Sequence, residues 1–520
     1  MSIFGVFRRR RRRTGIAVLG VMSVWLVFAG VSWGASSSYY PASDPYSMYN
    51  LTAQMGAPAW WNAGYTGQGV DVAVIDTGVS PVQGLNSSNK VVYGPDLSLE
   101  SQSSSLRNLD TNGHGTFMAG LIAGHDPGLT APYANASAWA YRGIAPDARI
   151  VSLKVATADG GADVTQVIAA IDWVVQHAQD PGFNIRVINL SYGTMSGLPY
   201  RSDPLAYAAE QAWKHGIVVV AAGGNTGSGT GNGRGLSDPA YDPYIIGVGA
   251  YNTMGTNDLV DDIVASYSAR SNGCGNCKDP DVVAPGTHMQ GLRVPGSYID
   301  QNHPEGVLNN RYFRGSGTSE AAAITSGVVA LLLDKYPDLT PDQVKWMLTD
   351  SAQLIPGFDD TFQGSGAINL PALASEQDPN NWGRWRGSYT QSFPSSNGAG
   401  SVEASRGGDH LTQNGVMLTG NQDIFGNPFD SRSMAQDEAD ASSWSGGWWN
   451  GSLWAGNSWS GSSWSSVAWT GSSWSGSSWS GSSWSGNSWS GSSWSGSSWS
   501  GSSWSGSSWS GDEWAGVGWS

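Results

Sequence analysis

Charged side chains are scarce in this chain of 520 residues, and basic ones are the scarcest. Only 13% of the residues are charged, and 26 Lys and Arg stand against 41 Asp and Glu, which gives a net charge of −15. Proteins that bind nucleic acid use basic patches to neutralise phosphates. This charge balance therefore excludes nucleic acid from the expected partners.

Cysteine is almost absent as well. Cys274 and Cys277 lie in one Cys-Gly-Asn-Cys stretch and are the only two in the chain. A structural zinc site needs about four ligands, and no second pair is there to complete one. We expect a small local disulfide, with two free thiols as the alternative, and we assign no metal site.

The N-terminus has the three parts of a secretion signal in the expected order. Six arginines at 8–13 precede an uncharged run over 16–33, and the small residues Gly34 and Ala35 follow. We predict a signal peptide over 1–35, and loss of its arginines takes the net charge from −15 to −21. An uncleaved membrane anchor is the alternative, because 18 uncharged residues are borderline for spanning a bilayer. The arginine run leaves Sec and twin-arginine export both open.

Residues 36–375 have the composition of a folded domain, in which short apolar runs alternate with helical patterns. Nearly continuous apolar runs are typical of strands that are buried on both faces. The predicted strands are 70–75, 150–155, 186–190, 217–222 and 245–248, and the predicted helices between them are 164–175 and 204–215. This alternation predicts an α/β fold with a mostly parallel central sheet and helices on both faces.

The last 145 residues are of a different character. Residues 376–440 are rich in Ser, Gly, Asn and Gln, which predicts a linker. Over 441–520, every fifth residue from Trp444 to Trp519 is tryptophan, mostly in the unit Ser-Ser-Trp-Ser-Gly. We predict a low-complexity repeat tail that binds cell wall or polysaccharide, associates with itself, or is passive or related to export. With the linker between them, we expect a chain that ends near Ser375 to keep its activity.

Four residues of the folded region carry groups that can do chemistry. Asp76 ends the first apolar strand, at the edge where open parallel sheets bind ligands. His114 lies between two glycines at a helix start, and histidine exchanges protons near neutral pH. Asn225 follows a buried strand, and Ser319 stands at a helix N-terminus that can stabilise an oxyanion. Each alone fits a turn, loop or helix cap, but together they supply every role in acyl transfer.

In the order Asp76, His114, Ser319, and in the motifs around them, residues 46–375 resemble the subtilisin-like serine proteases, the subtilases of peptidase family S8. The resemblance implies a subtilisin-like fold in which Ser319 attacks the peptide carbonyl. It implies that His114 acts first as general base and then as general acid, and that Asp76 orients it. It also implies that Asn225 and the Ser319 amide bind the oxyanion.

The resemblance further implies a cleft that holds the substrate as an added extended strand. Its lining residues would be Ser191, Tyr192, Gly193, Ala222, Gly223 and Gly224. Ser237, near the expected base of the pocket, carries no charge and so favours a broad, apolar preference. The chemistry would require no cofactor, whereas structural calcium, common in the family, is left open and unplaced because no Asp-rich loop has convincing spacing.

Three departures from the family pattern stand out. Glu320 and Ala323 replace the methionine and the proline that usually follow the nucleophile. A carboxylate that points inward beside the nucleophile would oppose an oxyanion, but an acid at a helix start is favourable, so we expect Glu320 to face outward or to be hydrogen-bonded.

The third departure is at the N-terminus, where secreted subtilases often carry an inhibitory prodomain that assists folding. Only about forty residues separate Ala35 from Asp76, and a segment of ~40 residues seldom folds alone, so we expect no ordinary prodomain.

The sequence thus predicts a secreted serine endopeptidase that acts on proteins or peptides through an Asp/His/Ser triad and an acyl-enzyme. Its expected location is outside the cell or at the cell surface, associated with the wall or anchored by an uncleaved signal. The alternative is a weak or inactive surface attachment protein that uses the tryptophan repeat for adhesion.

Overall fold

The computed structural model describes residues 39–101, 103, 105–227, 235–271, 278–381, 389–413 and 416–454, together with two short strands near residue 487. The predicted signal peptide, the predicted disulfide between Cys274 and Cys277, and most of the predicted repeat tail lie outside these residues. All the described residues belong to one compact unit that begins at Ser36.

The strands of the described residues fall into one large sheet and several small ones. They are β1 (Asp71–Asp76), β2 (Val91–Asp96), β3 (Arg149–Lys154), β4 (Ile185–Leu190), β5 (Val218–Ala222), β6 (Ile246–Asn252), β7 (Ile263–Val264), β8 (Val282–Pro285), β9 (Met289–Leu292), β10 (Tyr312–Gly315), β11 (Thr412–Gln413), β12 (Val416–Met417), β13 (Trp444–Ser445), β14 (Trp448–Trp449), β15 (Ser452–Leu453), β16 (Ser485–Gly486) and β17 (Trp489–Ser490).

The large sheet has the order β2-β3-β1-β4-β5-β6-β7, and β8 also pairs with β6. Every pairing in it is parallel except that of β6 with β7. Each residue of β1, β5 and β8 is buried, so both faces of the sheet are covered. The strands predicted from apolar runs are present, although β6 extends four residues beyond the predicted end.

Helices cover this sheet. They are α1 (Met48–Gln54), α2 (Ala57–Asn62), α3 (His114–Ala123), α4 (Val164–His177), α5 (Pro204–Lys214), α6 (Tyr298–Asn302), α7 (Thr318–Lys335), α8 (Pro341–Asp350), α9 (Asp360–Gln363), α10 (Leu370–Ser375), α11 (Val402–Arg406) and α12 (Ser431–Ala439). The central α7 contacts α3 and the strands β4, β5, β6 and β8, while α4 contacts α5 and β1. The predicted α/β class, with a mostly parallel central sheet, is confirmed.

The sheet brings three chain segments to one edge. β4 lies between β1 and β5, and all three run in the same direction. Their carboxyl ends therefore meet at the same side of the sheet. Asp76 is the last residue of β1, Ser191 follows β4, and Gly223 follows β5.

The segment before Asp76 is part of the domain. Trp60 and Trp61, in α2, are fully buried, and their indole N–H groups donate to the carbonyls of Leu370 and Ile144. Leu370 lies 310 positions after Trp60, and Ile144 lies 83 positions after Trp61, so these bonds join the start of the folded chain to distant segments. This segment therefore serves as structure of the domain itself.

The described part of residues 393–454, which we call the C-terminal strap, is packed against the domain. Its helices α11 and α12 contact α4 and α5, and its strand β13 contacts α4. Composition predicts an open linker over much of this range, but its polar residues hydrogen-bond to buried carboxylates. The hydroxyl of Ser405 donates to Asp203 over 2.8 Å, and the amide of Ser396 donates to Glu210 over 2.7 Å.

Arg406 attaches the strap to the start of α4. Its side chain and that of Asp163 are both 0% exposed, and its Nε lies 2.6 Å from Asp163 Oδ2. The same guanidinium donates to the carbonyls of Gly420 and Gln422 and pairs with Glu403. Asp163 also caps α4, so the salt bridge is part of the helix terminus.

The first tryptophans of the five-residue repeat belong to the same packed unit. Trp444, Trp449 and Trp454 are buried in the main core. The indole of Trp444 donates to the Ala169 carbonyl over 2.9 Å, and that of Trp449 donates to Asp172 Oδ2 over 2.8 Å. The repeat therefore begins inside the folded domain.

Candidate active site

Asp76 and His114 form a buried pair at the carboxyl edge of the sheet. His114 Nδ1 lies 2.8 Å from Oδ1 and 3.1 Å from Oδ2 of Asp76. A carboxylate only accepts, so Nδ1 carries the proton and Nε2 is the basic nitrogen of the neutral ring. Burial lowers the pKa of His114, but the carboxylates of Asp76, Glu320 and Asp110 together raise it above its ordinary value. The pair can therefore hold an imidazolium.

Asp110, which sequence analysis missed, fixes the start of α3. Its carboxylate accepts from the backbone N–H of Gly113 and of Thr116, each over 2.7 Å, and from the Thr77 hydroxyl over 2.8 Å. These bonds satisfy helix N–H groups that have no partner within the helix. The signal in the sequence is an acid a few residues before a predicted helix start.

Gly115 allows α3 to approach β1. A Cβ atom at this position would lie 2.2 Å from the Gly78 carbonyl oxygen and 3.0 Å from Asp76 Oδ1. No side chain fits in that space. The glycine after His114 is thus required for the close approach of imidazole and carboxylate.

Ser319 is the second residue of α7 and is 1% exposed. Its backbone carbonyl accepts from the Ser191 hydroxyl over 3.2 Å, which joins α7 to the end of β4. Its own Oγ makes no hydrogen bond among the described residues. The hydroxyl stands at a helix N-terminus, where the macrodipole favours developing negative charge.

Asn225 is joined to the residue before Ser319. Its Oδ1 accepts from the backbone N–H of Thr318 over 2.8 Å and from the Thr318 hydroxyl over 3.1 Å. The same hydroxyl accepts from the Gly224 N–H over 3.0 Å. A backbone N–H can only donate, so the Asn225 atom that faces Thr318 is the amide carbonyl oxygen.

The two segments predicted to line the substrate cleft lie beside each other. A Cβ at Gly193 would be 2.5 Å from Ser237 Oγ, and that hydroxyl donates to the carbonyls of Ala222 and Gly223, each over 3.2 Å. The side chain of Tyr192 is 1% exposed, which leaves only its backbone to face a ligand. Gly224 has φ +107°, a conformation that favours glycine.

Glu320 does not face outward, so the first half of the expectation, an outward carboxylate, is wrong, whereas a backbone N–H does donate to the carboxyl group. The residue is 4% exposed, and its Oε2 makes no hydrogen bond among the described residues. It lines a cavity of ≈ 590 Å³, the Glu320 cavity, whose walls also include His114, Phe117 and Gly315. The position has room for an inward carboxylate because a Cβ at Gly315 would lie only 2.3 Å from Glu320 Oε1.

Burial raises the pKa of Glu320 from its ordinary value of 4.5 to about 7. Between these two values the folded protein holds a proton that the unfolded chain has released, so stability falls as pH rises through that window. We expect Glu320→Gln to stabilise the protein by up to about 3 kcal/mol more at pH 8 than at pH 4.5. Urea unfolding at both pH values measures this.

The matched control for that experiment is Glu305→Gln. Glu305 lines the same cavity, but its side chain is 74% exposed and pairs with His303. Its substitution should change stability almost equally at both pH values. If Glu320→Gln changes the free energy of unfolding equally at the two pH values, the pKa of Glu320 is not raised by burial.

The described part of the chain contains neither a cluster of metal-ligating side chains nor a helix suited to span a membrane. No group of three or more His, Cys, Asp or Glu side chains within it could hold a metal ion, so we assign no calcium site. No helix within it has both the length and the apolar character that are needed to cross a membrane.

Comparison with known proteins identifies the family. The model of the subtilase family matches residues 67–381. The chain is 35% identical over 308 residues to serine protease AprX of Bacillus subtilis (strain 168). The aligned region covers 58% of this chain and 66% of that protein. It is 31% identical over 311 residues to subtilisin DY of Bacillus licheniformis, covering 60% of this chain and 93% of the relative.

A third relative is the minor extracellular protease Epr of Bacillus subtilis (strain 168). It is 30% identical over 336 residues, which are 64% of this chain and 43% of that protein. The matched region holds the sheet edge with Asp76, His114 and Ser319. The chain therefore belongs to the subtilase family of serine-type endopeptidases.

Proposed function

We propose that this protein is a secreted serine endopeptidase that cleaves peptide bonds through an acyl-enzyme on Ser319. The observation that carries the proposal is the buried pair of Asp76 and His114 at the sheet edge. Its Oδ1 and Nδ1 atoms lie 2.8 Å apart. Subtilases act on proteins and peptides, and the chain retains the residues that this chemistry needs. Asp76, His114 and Ser319 take the three roles.

In the acylation step, Ser319 Oγ attacks the carbonyl carbon of the substrate, and His114 Nε2 accepts the hydroxyl proton. Asp76 stabilises the imidazolium, in keeping with the carboxylate groups that raise the pKa of His114. The NH₂ group of Asn225 and the backbone N–H of Ser319 bind the oxyanion.

The C–N bond then breaks, and His114 Nε2 gives its proton to the departing amine. Water enters, His114 removes one of its protons, and attack on the acyl carbon releases the carboxylic acid and regenerates Ser319. The chemistry uses no cofactor. The acyl part of the substrate lies as an extended strand between residues 191–193 and 222–224, whose backbones supply its hydrogen bonds.

Export is proposed from the leader over 1–35 and from the relative that is named an extracellular protease. The repeat tail beyond the described residues is proposed to attach the enzyme to the wall or to polysaccharide. Beyond Trp454, thirteen regularly spaced indoles from Trp459 to Trp519 can act together even where each contributes only ~1 kcal/mol.

Labelling with a fluorophosphonate tests the proposal, because this probe reacts only with an activated serine. We expect wild-type protein to be labelled at Ser319 and His114→Ala to be labelled at least ~100-fold more slowly, since general-base assistance is lost. Peptide mapping locates the label. A folded wild-type protein that does not react would instead support the inactive attachment protein.

A further inference from the structure

The Glu320 cavity adjoins His114 and Glu320, the residue after Ser319. None of the residues assigned to the acyl side, 191–193 and 222–225, lines it, whereas His114 does. His114 is the residue that would hand the proton to the departing amine. The part of the substrate that follows the cleaved bond therefore passes the mouth of this cavity.

The cavity is unbalanced in charge. Its four basic side chains each pair with a carboxylate: His114 with Asp76, Arg293 with Asp300, His303 with Glu305, and Arg314 with Asp44. The carboxyl groups of Glu320 and Asp159 also line it, and neither is within salt-bridge distance of a basic group among the described residues, although His114 interacts with Glu320 at longer range. The cavity is therefore complementary to a cation and not to an anion.

Glu320 is the acid best placed to recognise a ligand. Asp159 already accepts from the Thr157 hydroxyl over 2.6 Å and from the Gly161 N–H over 3.2 Å. Glu320 has an oxygen without a hydrogen bond, and it directly follows the nucleophile. A buried acceptor that lacks a partner costs free energy, which a donor from the substrate would recover. Apolar walls from Phe117, Leu292 and Phe313 suit the methylene stem of a long side chain.

We propose that Glu320 selects substrates with lysine or arginine as the first residue after the cleaved bond. This inference rests on the proposed function and adds a substrate preference to it. The cationic group binds the Glu320 carboxylate, and the aliphatic stem lies against the apolar walls of the cavity. A glutamate at the same substrate position meets two unpaired carboxyl groups and is disfavoured.

Internally quenched peptides test the preference. The set is identical up to the cleaved bond and carries lysine, norleucine or glutamate directly after it, so that lysine and norleucine differ in the charge of similar long side chains. We expect wild-type kcat/KM to favour lysine over norleucine by about 10- to 100-fold, the scale of one hydrogen bond to a charged group. Glutamate should be the poorest of the three.

Two variants assign the effect to one residue. Glu320→Gln should reduce the lysine-to-norleucine ratio at least ~5-fold, because the amide keeps the shape but loses the charge. Asp350→Asn removes a carboxylate from an exposed position at the end of α8, outside the cavity, and should keep the wild-type ratio. Mass spectrometry verifies that all peptides are cut at the same bond.

The outcomes separate the two proposals. Equal kcat/KM for the three peptides in wild-type enzyme overturns the preference and leaves the endopeptidase in place. A lysine preference that survives unchanged in Glu320→Gln also overturns it. Failure of the wild-type enzyme to cut any peptide counts against the proposed function itself. The wild-type comparison decides the matter even where Glu320→Gln does not fold.

Discussion

Ser319→Ala is expected to lower kcat/KM for peptide substrates by about 10⁴- to 10⁶-fold, a scale that comes from the loss of the nucleophile in subtilisin. The Ser319 hydroxyl is the group proposed to form the acyl bond. Its removal breaks no hydrogen bond among the described residues, so the fold should remain intact. Initial rates on a chromogenic peptide, with the melting temperature of the same preparation, measure both effects.

Ser326→Ala is the matched control. Ser326 lies on the same helix, two turns further on, and its hydroxyl donates to Asn189 over 3.0 Å. This change should alter stability more than the rate. A Ser319→Ala preparation that still cleaves at a tenth of the wild-type rate would show that another group is the nucleophile.

Most of the fold could be predicted because it depends on local patterns. Strands buried on both faces leave continuous apolar runs, and β1, β4 and β5 begin and end within about one residue of such runs. Helix α4 carries apolar residues at helical spacing and begins with a capping box at Asp163. The fold class, a mostly parallel sheet with helices, followed from the alternation of these two patterns.

The candidate site could be predicted as far as its residues lie in short motifs. Asp76, His114, Asn225 and Ser319 all follow a buried strand or begin a helix, where sequence and position are linked. Their roles remain predictions, although the distances between Asp76 and His114 fit them. The inward position of Glu320 could not be foreseen, because it depends on the absence of a side chain at Gly315 across the cavity.

The C-terminal strap was missed for a physical reason. Its apolar residues are spaced irregularly, and it is fixed by long-range bonds such as those of Arg406 to Asp163 and Trp449 to Asp172. Contacts of this kind leave no periodic spacing of apolar residues in the local sequence. A segment rich in Ser, Gly and Asn reads as a linker, although here the same residues bond to buried carboxylates of α4 and α5.

The strap covers apolar surface and pairs buried charges of the domain. It buries the side chains of Val402, Leu411, Leu418, Ile424, Phe425, Phe429, Met434, Trp444, Trp449 and Trp454. Burial of one large apolar side chain stabilises by about 1.5–3 kcal/mol. Removal of Arg406 also leaves the Asp163 charge buried without its partner, which costs about 3–5 kcal/mol. A chain without the strap exposes the apolar surface that these side chains cover and leaves Asp163 unpaired, and native proteins have only roughly 5–15 kcal/mol of stability to lose.

A chain that ends at Ser375 is therefore expected to lose its folded state and its activity, contrary to the expectation from composition. A chain that ends at Trp454 should fold and should keep wild-type kcat/KM on small peptides, because it retains every contact described between the strap and the domain. Circular dichroism melting and initial rates of both chains, each produced with the same leader, provide the comparison. Arg406→Leu in the longer chain should lower the free energy of unfolding by about 3–5 kcal/mol, which separates the salt bridge from the rest of the strap. If the chain ending at Ser375 melts cooperatively at the temperature of the longer one, the strap is only an accessory, and the domain ends where composition places it.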